Sequence, residues 1–513
     1  MPLYDQALLA PLRQFPADQA ALVKGNEKIY AQEIYQQAQR LAQNLLEQGM
    51  KSGDRVAMAS SPGPDFLVII YAMVMIRAQV AIIDPEMGRD HYRAKLQQLS
   101  PTWAFVDSRL LLLQEHPILR WAYFRWKKRG LYFPRQQQTT HIATGPRLPL
   151  LMPHLTLRNL LRKPQAPSLE KDPGDAPFLI TYTSGTVAEP KGVLHGFQSL
   201  GESIQQIVKL LAPKPGQRVA THLPHFMLIG LAAGIPIHLW DYDQDVDYKL
   251  GFIQKHQITT LFGPPSDYLP LIRACEATQS QLPACLTHVL LGSAPVHASF
   301  LRRLVAVLRD HVRITALYGM TENLLVATAD GREKATWEGQ GDLLGRAAAG
   351  VELEIAEDGE ILLESPQLFQ RYFHLDSRET PHRSGDLGYL NEQGELVLTG
   401  RKKDMIIRRN TNLYPGLYEP TINRIPGVTQ AVMIGVYNEK KSDEEVFLVV
   451  EPEPAANGLD LDNLKSCLEY GRYSIDKEAW PDYILTRELP RSGRQNKVDR
   501  KRLQRDLQAK TDH

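Results

Sequence analysis

Cysteine is scarce: Cys275, Cys285 and Cys467 are the only three in 513 residues. None pairs in a CxxC spacing and no histidine cluster stands near them. A disulfide framework and a zinc site are therefore not expected, and the three read as buried thiols of a reducing compartment. Net charge is nearly absent, at +1 from 59 Lys and Arg against 58 Asp and Glu. That balance gives no global electrostatic case for nucleic acid or for an acidic partner. The first twenty residues are polar and proline-broken, without the charged start and apolar stretch of a secretion signal. Long apolar runs are missing except at residues 66–84, where Arg77 interrupts the run before it reaches a comfortable bilayer length. A buried helix leading into a core strand is expected there, and a cytoplasmic location follows as an expectation. There is also no GxSxG elbow and no Cys–His constellation, so no protein nucleophile is indicated. The acidic run DYDQDVD (241–247) lacks the turn glycine of a calcium loop, and Phe252 stands where the bidentate Glu belongs.

What is present is an ordinary globular composition, 43% hydrophobic and 23% charged with 35 Gly and 35 Pro, on a chain too long for one core. Residues 33–50 carry Ile34, Ala38, Leu41, Leu45 and Leu46 at helical spacing and end near Gly49. Strand candidates at 56–60, 80–84, 258–262, 289–292 and 314–318 alternate with helical stretches, the pattern of α/β layers with largely parallel sheets. After about residue 350 the texture changes. Short strands at 351–355, 360–364, 388–390 and 395–399 are split by EDGE and NEQG turns, an antiparallel β module. Strands near 432–436 and 446–450 and a basic helical tail follow GRKKD. The expected class is α/β: a large N-terminal domain (1–402) of layered sheets plus a β module, and a small α+β C-terminal domain (403–513).

Residues 181–196, TYTSGTVAEPKGVLHG, follow an apolar strand and precede a segment that could begin a helix. Backbone amides with the hydroxyls of Thr183, Ser184 and Thr186 around Gly185 suit a polyphosphate, and Lys191 supplies a point charge. It is not a Walker loop, because Gly192 follows Lys191. Further along stand LGSAP (Gly292, Ser293, Ala294, Pro295), LYGMTE (Tyr318, Gly319, Thr321, Glu322), SGD (Ser384 to Asp386), GRKKD (Arg401, Lys403) and LPRSGRQNKVDR (Lys497).

In order and kind, these motifs resemble those of the acyl-adenylate-forming superfamily, which includes acyl-CoA synthetases, luciferases and peptide-synthetase adenylation domains. The resemblance implies ATP and Mg²⁺ as cofactors, with the 181–191 loop on the phosphates and Gly292 to Pro295 against the adenine. Tyr318 and Gly319 would flank that ring and Thr321 would meet the α-phosphate. Glu322 would hold Mg²⁺, Asp386 would accept both ribose hydroxyls, and Arg401 would be a ribose or phosphate partner. Lys403 would be the pivot of a mobile domain carrying Lys497, the lysine that stabilises the transition state. Departures are Val187 and Ala188 in the loop, Ser384 for Thr, Asn410 for Gly and Leu417 before Glu419. Asn496 replaces Gly in a loop one residue longer than usual.

The acid is less defined. Amino-acid-activating relatives place an Asp after the phosphate loop, whereas THLPHFMLIGLAAGIPIHLW (221–240) has no acidic residue. Phe226, Met227, Leu228, Ile229 and Leu231 would line an apolar acyl pocket or pack in the core. His225 stands alone. Residues 119–135, LRWAYFRWKKRGLYFPR, combine six cations with six aromatics, either an interfacial segment for peripheral membrane contact or a solvated helix. With IDPEMG before it, this stretch also resembles the olefin β-lactone synthetases, which adenylate a long β-hydroxy acid and close it without CoA. The expected function is ATP-dependent formation of an acyl-AMP from an aliphatic or fatty acid, then transfer to CoA. The alternatives are an acyl-AMP ligase serving an acyl carrier protein, closure on the acid's own hydroxyl, or a non-catalytic nucleotide-binding relative.

Overall fold

The structure is a computed structural model that describes residues 5–83, 89–127, 138–148, 155–162, 175–182, 191–241, 244–408, 411–438, 443–453, 460–469, 473–492 and 497–511. Two compact units divide the chain: 1–262 with 320–325 and 365–378, and 263–319 with 326–364 and 379–513. The second unit therefore contains 403–513 together with more N-terminal segments.

In the first unit, parallel strands Pro177–Tyr182, Gln79–Ile82, Arg55–Ala59, Trp103–Asp107, Thr140–Thr144 and Leu155–Thr156 lie side by side in that order. Gly192–Gly196 and Arg371–Tyr372 extend the sheet antiparallel beyond Pro177–Tyr182. The helix Pro64–Ile76 connects two of these strands and buries every residue from Phe66 to Ile76. A helix apolar on all sides has no solvent face, which is why this run needs no membrane. Arg77 ends it in the left-handed region, with φ +63°. By contrast, the helix Ala31–Glu47 buries one stripe, Ile34, Ala38, Leu41 and Leu45. A second sheet of the same unit orders Thr260–Gly263, Val219–Thr221, Ile237–Leu239 and Ala20–Lys24 in parallel, with Glu27–Tyr30 antiparallel at its edge.

In the second unit the parallel pair His288–Leu291 and Arg313–Tyr318 leads into an antiparallel ladder. Its order is Ala327–Asp330, Asp342–Ala347, Leu396–Arg401, His382–Leu390, Glu360–Glu364 and Glu352–Ile355. The β module expected after residue 350 is therefore present, although its 388–390 strand begins at His382. The C-terminal segment forms a three-stranded sheet of Val428–Asn438, Asp443–Pro452 and Tyr483–Thr486. Alternate residues feed two cores: Met433, Val446, Leu448 and Val450 face Tyr418, Ile422 and Leu464, whereas Val432, Ile434, Phe447 and Val449 face Leu503 and Leu507. Leu417, at the position where the family carries an acid, packs against the first of these cores.

Two local expectations need correction. Only Cys275 is buried, while Cys285 and Cys467 are half-exposed. The segment after the phosphate loop begins as the strand Gly192–Gly196, and the helix starts only at Phe197. Pairing with Pro177–Tyr182 holds 192–196 extended, so the described residues flanking the loop are two antiparallel strands.

The helix Pro415–Ile422 packs on the strand carrying the GRKKD motif through Gly416, where a Cβ would come within 2.6 Å of the Thr399 carbonyl oxygen and 2.7 Å of Gly400 Cα. Both are backbone atoms and neither can swing aside. Gly416→Ala is expected to cost about 1–3 kcal/mol, read as a lower temperature of thermal unfolding.

Candidate active site

In the second unit the site is built where two parallel strands end. Leu291 pairs with Ala316, so Gly292 to Pro295 leave one strand beside the end of the other at Tyr318. Carboxyl ends of parallel strands are where α/β sheets hold ligands. Ser293 turns the chain with φ +64°. At Gly292 a Cβ would meet Leu317 Cβ at 3.4 Å, an ordinary contact, so packing alone does not demand glycine there. Pro295 and Gly319 are exposed, and Ser293, Ala294 and Tyr318 are half-buried.

Asp386 is the centre of this unit's polar cluster and is only 5% exposed. Antiparallel pairing sets it directly opposite Arg401. The Arg401 guanidinium Nε lies 3.0 Å from Asp386 Oδ1, and the Tyr318 hydroxyl donates to Oδ2 at 2.7 Å. Each carboxylate oxygen has a second lone pair, so both retain capacity toward a vicinal diol. Ser384 Oγ accepts the Asp386 N–H at 3.1 Å and donates to the Ile361 carbonyl at 2.6 Å. A single hydroxyl does both, which explains why Ser serves where Thr is usual. Gly385, with φ +73°, adopts backbone that favours glycine and gives its N–H to Glu360 at 3.0 Å. Glu360 also receives Arg383 and Lys402. Burial pushes its carboxyl up, but the hydrogen bonds from Lys402, the Gly385 amide and Arg383 outweigh that and hold it below the usual range.

Lys497 opens a two-residue strand paired with Arg491–Ser492. Its side chain reaches solvent, yet the surrounding protein desolvates the ammonium, and Arg401 and Lys403 repel it, so its pKa falls to about 8. Lys403 is likewise held below the ordinary lysine range, first by desolvation and then by Arg401. Arg401, paired with Asp386, thus lies within electrostatic reach of both Lys403 and Lys497. Arg500, three residues beyond Lys497, anchors this segment. It donates to the Met433 carbonyl at 3.1 Å and to the Glu419 carboxylate, and lies 3.8 Å from Asp404. Glu419 in turn accepts the Met433 N–H at 2.7 Å. Lys501 lies exposed in the terminal helix Arg500–Thr511.

The first unit holds a second cluster. Thr321 and Glu322 sit in a tight turn closed by reciprocal Met320 and Asn323 backbone hydrogen bonds at 2.9 and 3.2 Å, and no helix begins there. The Thr321 carbonyl meets His195 Nε2 at 2.8 Å. A carbonyl only accepts, so Nε2 carries the proton. Burial drives the His195 pKa down to about 4, and the ring is neutral at neutral pH. The Glu322 carbonyl accepts the Phe369 N–H at 2.8 Å, and its Oε1 accepts the Tyr372 hydroxyl at 3.0 Å. Oε2 has no partner among the described residues. Strand pairing of Arg371–Tyr372 with Gly192–Gly196 brings the Tyr372 ring to 5.5 Å from the exposed Lys191 ammonium. Thr183, Ser184, Gly185 and Thr186, with Val187, Ala188, Asn410 and Asn496, lie outside the described residues.

Neither His195 nor Tyr372 was singled out by sequence reasoning. HG and RY are unremarkable dipeptides, and only strand pairing reveals what they touch. The apolar helix Pro224–Ala232 buries Phe226, Met227, Ile229 and Leu231, with Phe226 stacked at 3.5 Å on Phe262. Core packing accounts for these four, while Leu228 is half-buried and His225 exposed. Asp245 in the acidic run caps the helix Val246–Lys255 through the Tyr248 N–H at 2.7 Å.

Residues 9–373 match the family model described as AMP-binding enzyme. The chain belongs to this family. It is 26% identical to an olefin β-lactone synthetase of Stenotrophomonas maltophilia over 441 residues, covering 77% of this chain and 76% of that one. It is 27% identical to an indoleacetate–CoA ligase of Aromatoleum aromaticum over 484 residues, 88% of each chain. Its fold matches ATP-bound MatB of Rhodopseudomonas palustris with a TM-score of 0.79 at 22% identity, covering 100% of both chains. It also matches the amide bond synthetase McbA of Marinactinospora thermotolerans with a TM-score of 0.78 at 20% identity, over 99% of this chain and 100% of that one. This AMP-binding enzyme is an AMP-forming acid ligase that makes an acyl-adenylate with ATP.

Among the described residues no three His, Cys, Asp or Glu side chains gather as a metal cage. A lone carboxylate with one oxygen oriented by a tyrosine and the other uncommitted fits Mg²⁺, which takes its remaining oxygens from water and phosphates. Tyr372→Phe keeps the ring beside Lys191 and removes the hydroxyl from Glu322. It is expected to raise the Mg²⁺ concentration for half-maximal pyrophosphate release about tenfold, with thermal stability retained. An unchanged Mg²⁺ requirement would remove Tyr372 from the site.

Proposed function

We propose that this enzyme activates an aliphatic, fatty-type carboxylic acid and transfers the acyl group to CoA. The observation that carries the adenylation half is the pairing of Arg401 with the buried Asp386 at 3.0 Å, with Lys403 and Lys497 within electrostatic reach of Arg401, since a cation cluster beside a diol-accepting carboxylate suits a nucleotide. The acid's carboxylate oxygen attacks the α-phosphorus, a new P–O bond forms, and the bond to pyrophosphate breaks. Asp386, oriented by Tyr318 and Arg401, receives the ribose hydroxyls. Gly292 to Pro295 and Tyr318–Gly319 bound the adenine, and Thr321 meets the α-phosphate. Lys497 stabilises charge on the transferring phosphoryl oxygens, with Lys191 and the amides and hydroxyls of Thr183 to Thr186 along the polyphosphate. Mg²⁺ held by Glu322 would neutralise phosphate charge when bound.

For the second half-reaction the segment 403–513 pivots at Lys403, withdrawing Lys497, and the CoA thiolate attacks the acyl carbon as AMP leaves. CoA is supported by the ligases among the relatives, indoleacetate–CoA ligase and 2-succinylbenzoate–CoA ligase. The olefin β-lactone synthetase relatives support an aliphatic acid, and they favour a second reading in which the acid's own hydroxyl is the acceptor. The absence of an acidic residue at 221–240 argues against an amino-acid substrate.

Lys497→Ala is expected to slow adenylation by about 10²–10³. With its pKa near 8, Lys497 holds its charge below that pH and loses it above. The adenylation rate should therefore fall as pH rises through about 8, and Lys403→Gln, by removing a repelling cation, should move that fall to higher pH. A rate unchanged in Lys497→Ala would refute the assignment. Acid-dependent pyrophosphate release across aliphatic, 3-hydroxy and aryl acids, with and without CoA, tests the substrate. Turnover is expected with long aliphatic acids and CoA. Multiple turnover of 3-hydroxy acids alone without CoA would favour closure on the hydroxyl, and preference for aryl acids would overturn the aliphatic reading.

A further inference from the structure

The helix Pro117–Lys127 presents a surface that the chemistry above leaves unused. Ile118 is 80% exposed, Trp121 63% and Leu119 38%. Single exposed apolar residues are common on soluble proteins, but two large ones this exposed on one face make a patch. Ile118 and Trp121 are three apart and share a face. Arg120 and Arg125 are exposed beside them, with the Arg125 guanidinium 5.5 Å from the centre of the Trp121 ring.

Charge along this part of the sequence is segregated in a way the net charge hides. Residues 116–169 contain ten Lys and Arg and no Asp or Glu, in a chain whose total is +1. Arg120 and Arg125 on the helix complement an anionic surface. Bare isoleucine and tryptophan favour an apolar phase beneath that charge, and tryptophan in particular favours the depth of lipid headgroups.

We propose that this helix docks the protein on the surface of an anionic lipid bilayer, with Ile118 and Trp121 entering the headgroup region and Arg120 and Arg125 meeting lipid phosphates. The helix lies on the bilayer and does not cross it, since no described helix is long and apolar enough to do so. The proposal concerns where the protein sits and holds whichever acid it activates. An acidic protein partner would use the cations but would not require a lipid-like phase for Trp121.

The test is co-sedimentation of the full chain with vesicles of phosphatidylcholine alone, or with about one lipid in three replaced by phosphatidylglycerol. Binding is expected to the anionic vesicles, weakened by high salt, and with a blue shift in tryptophan emission that Trp121→Phe diminishes. Arg120→Gln with Arg125→Gln should weaken binding at least about tenfold. Ile118→Ser with Trp121→Ser should do the same, and thermal unfolding is the check that both variants remain folded. No sedimentation of the wild-type protein with anionic vesicles, or equal sedimentation of either folded double variant, would overturn the proposal. Retained emission shift in Trp121→Phe would overturn the depth assigned to that side chain.

Discussion

A buried carboxylate must be met by partners, and Asp386 is the clearest case in this molecule. At 5% exposure it would be costly to leave alone. Its partners come from two distant places, Tyr318 at the end of a parallel strand and Arg401 directly across an antiparallel ladder. Satisfying Asp386 therefore couples the α/β part of its unit to the β module. A one-residue slip between His382–Leu390 and Leu396–Arg401 would turn Arg401 to the other face and leave the carboxylate without its cation. Glu360 reinforces the register from the next strand, holding the Gly385 amide, Arg383 and Lys402 at once.

The same ladder delivers the following residues, Lys402 to Asp404, as a short turn. From there one ion-pair set reaches to the C-terminal motif. Arg500 stands near Asp404 and bonds to Glu419, and Glu419 is itself fixed by the Met433 amide. The residue after the expected pivot and the segment bearing Lys497 thus share an anchor. The Arg500 ion pairs fix the chain three residues beyond Lys497. The convergence of Lys497 with Arg401 and Lys403 stores repulsion that an anionic ligand would relieve.

Charge is arranged locally throughout, although the totals nearly cancel. Cations gather at Arg401, Lys403 and Lys497, and again along 116–169, where no acid offsets them. A charge summed over the whole chain has no bearing on either, because screening confines each field to about 10 Å.

Composition, periodicity and motif order carried the sequence a long way: the α/β layers, the antiparallel module after residue 350, the buried helix at 64–76 and the adenylate-forming series were all legible. Those features are local, set by side-chain period, by turn residues and by short motifs whose chemistry needs particular groups at fixed spacing. Asp386 and Arg401 were named from such motifs, but their pairing came from strand register. Tyr372 beneath Lys191, His195 on the Thr321 carbonyl and Arg500 on Glu419 were decided only by tertiary structure, since each contact spans at least 81 residues of chain. The helix expected after the phosphate loop was a strand for the same reason, because pairing with Pro177–Tyr182 overrode local preference. Short-range chemistry is written in the order of residues. Which distant side chains share a charge or a proton is decided by the fold that brings them together.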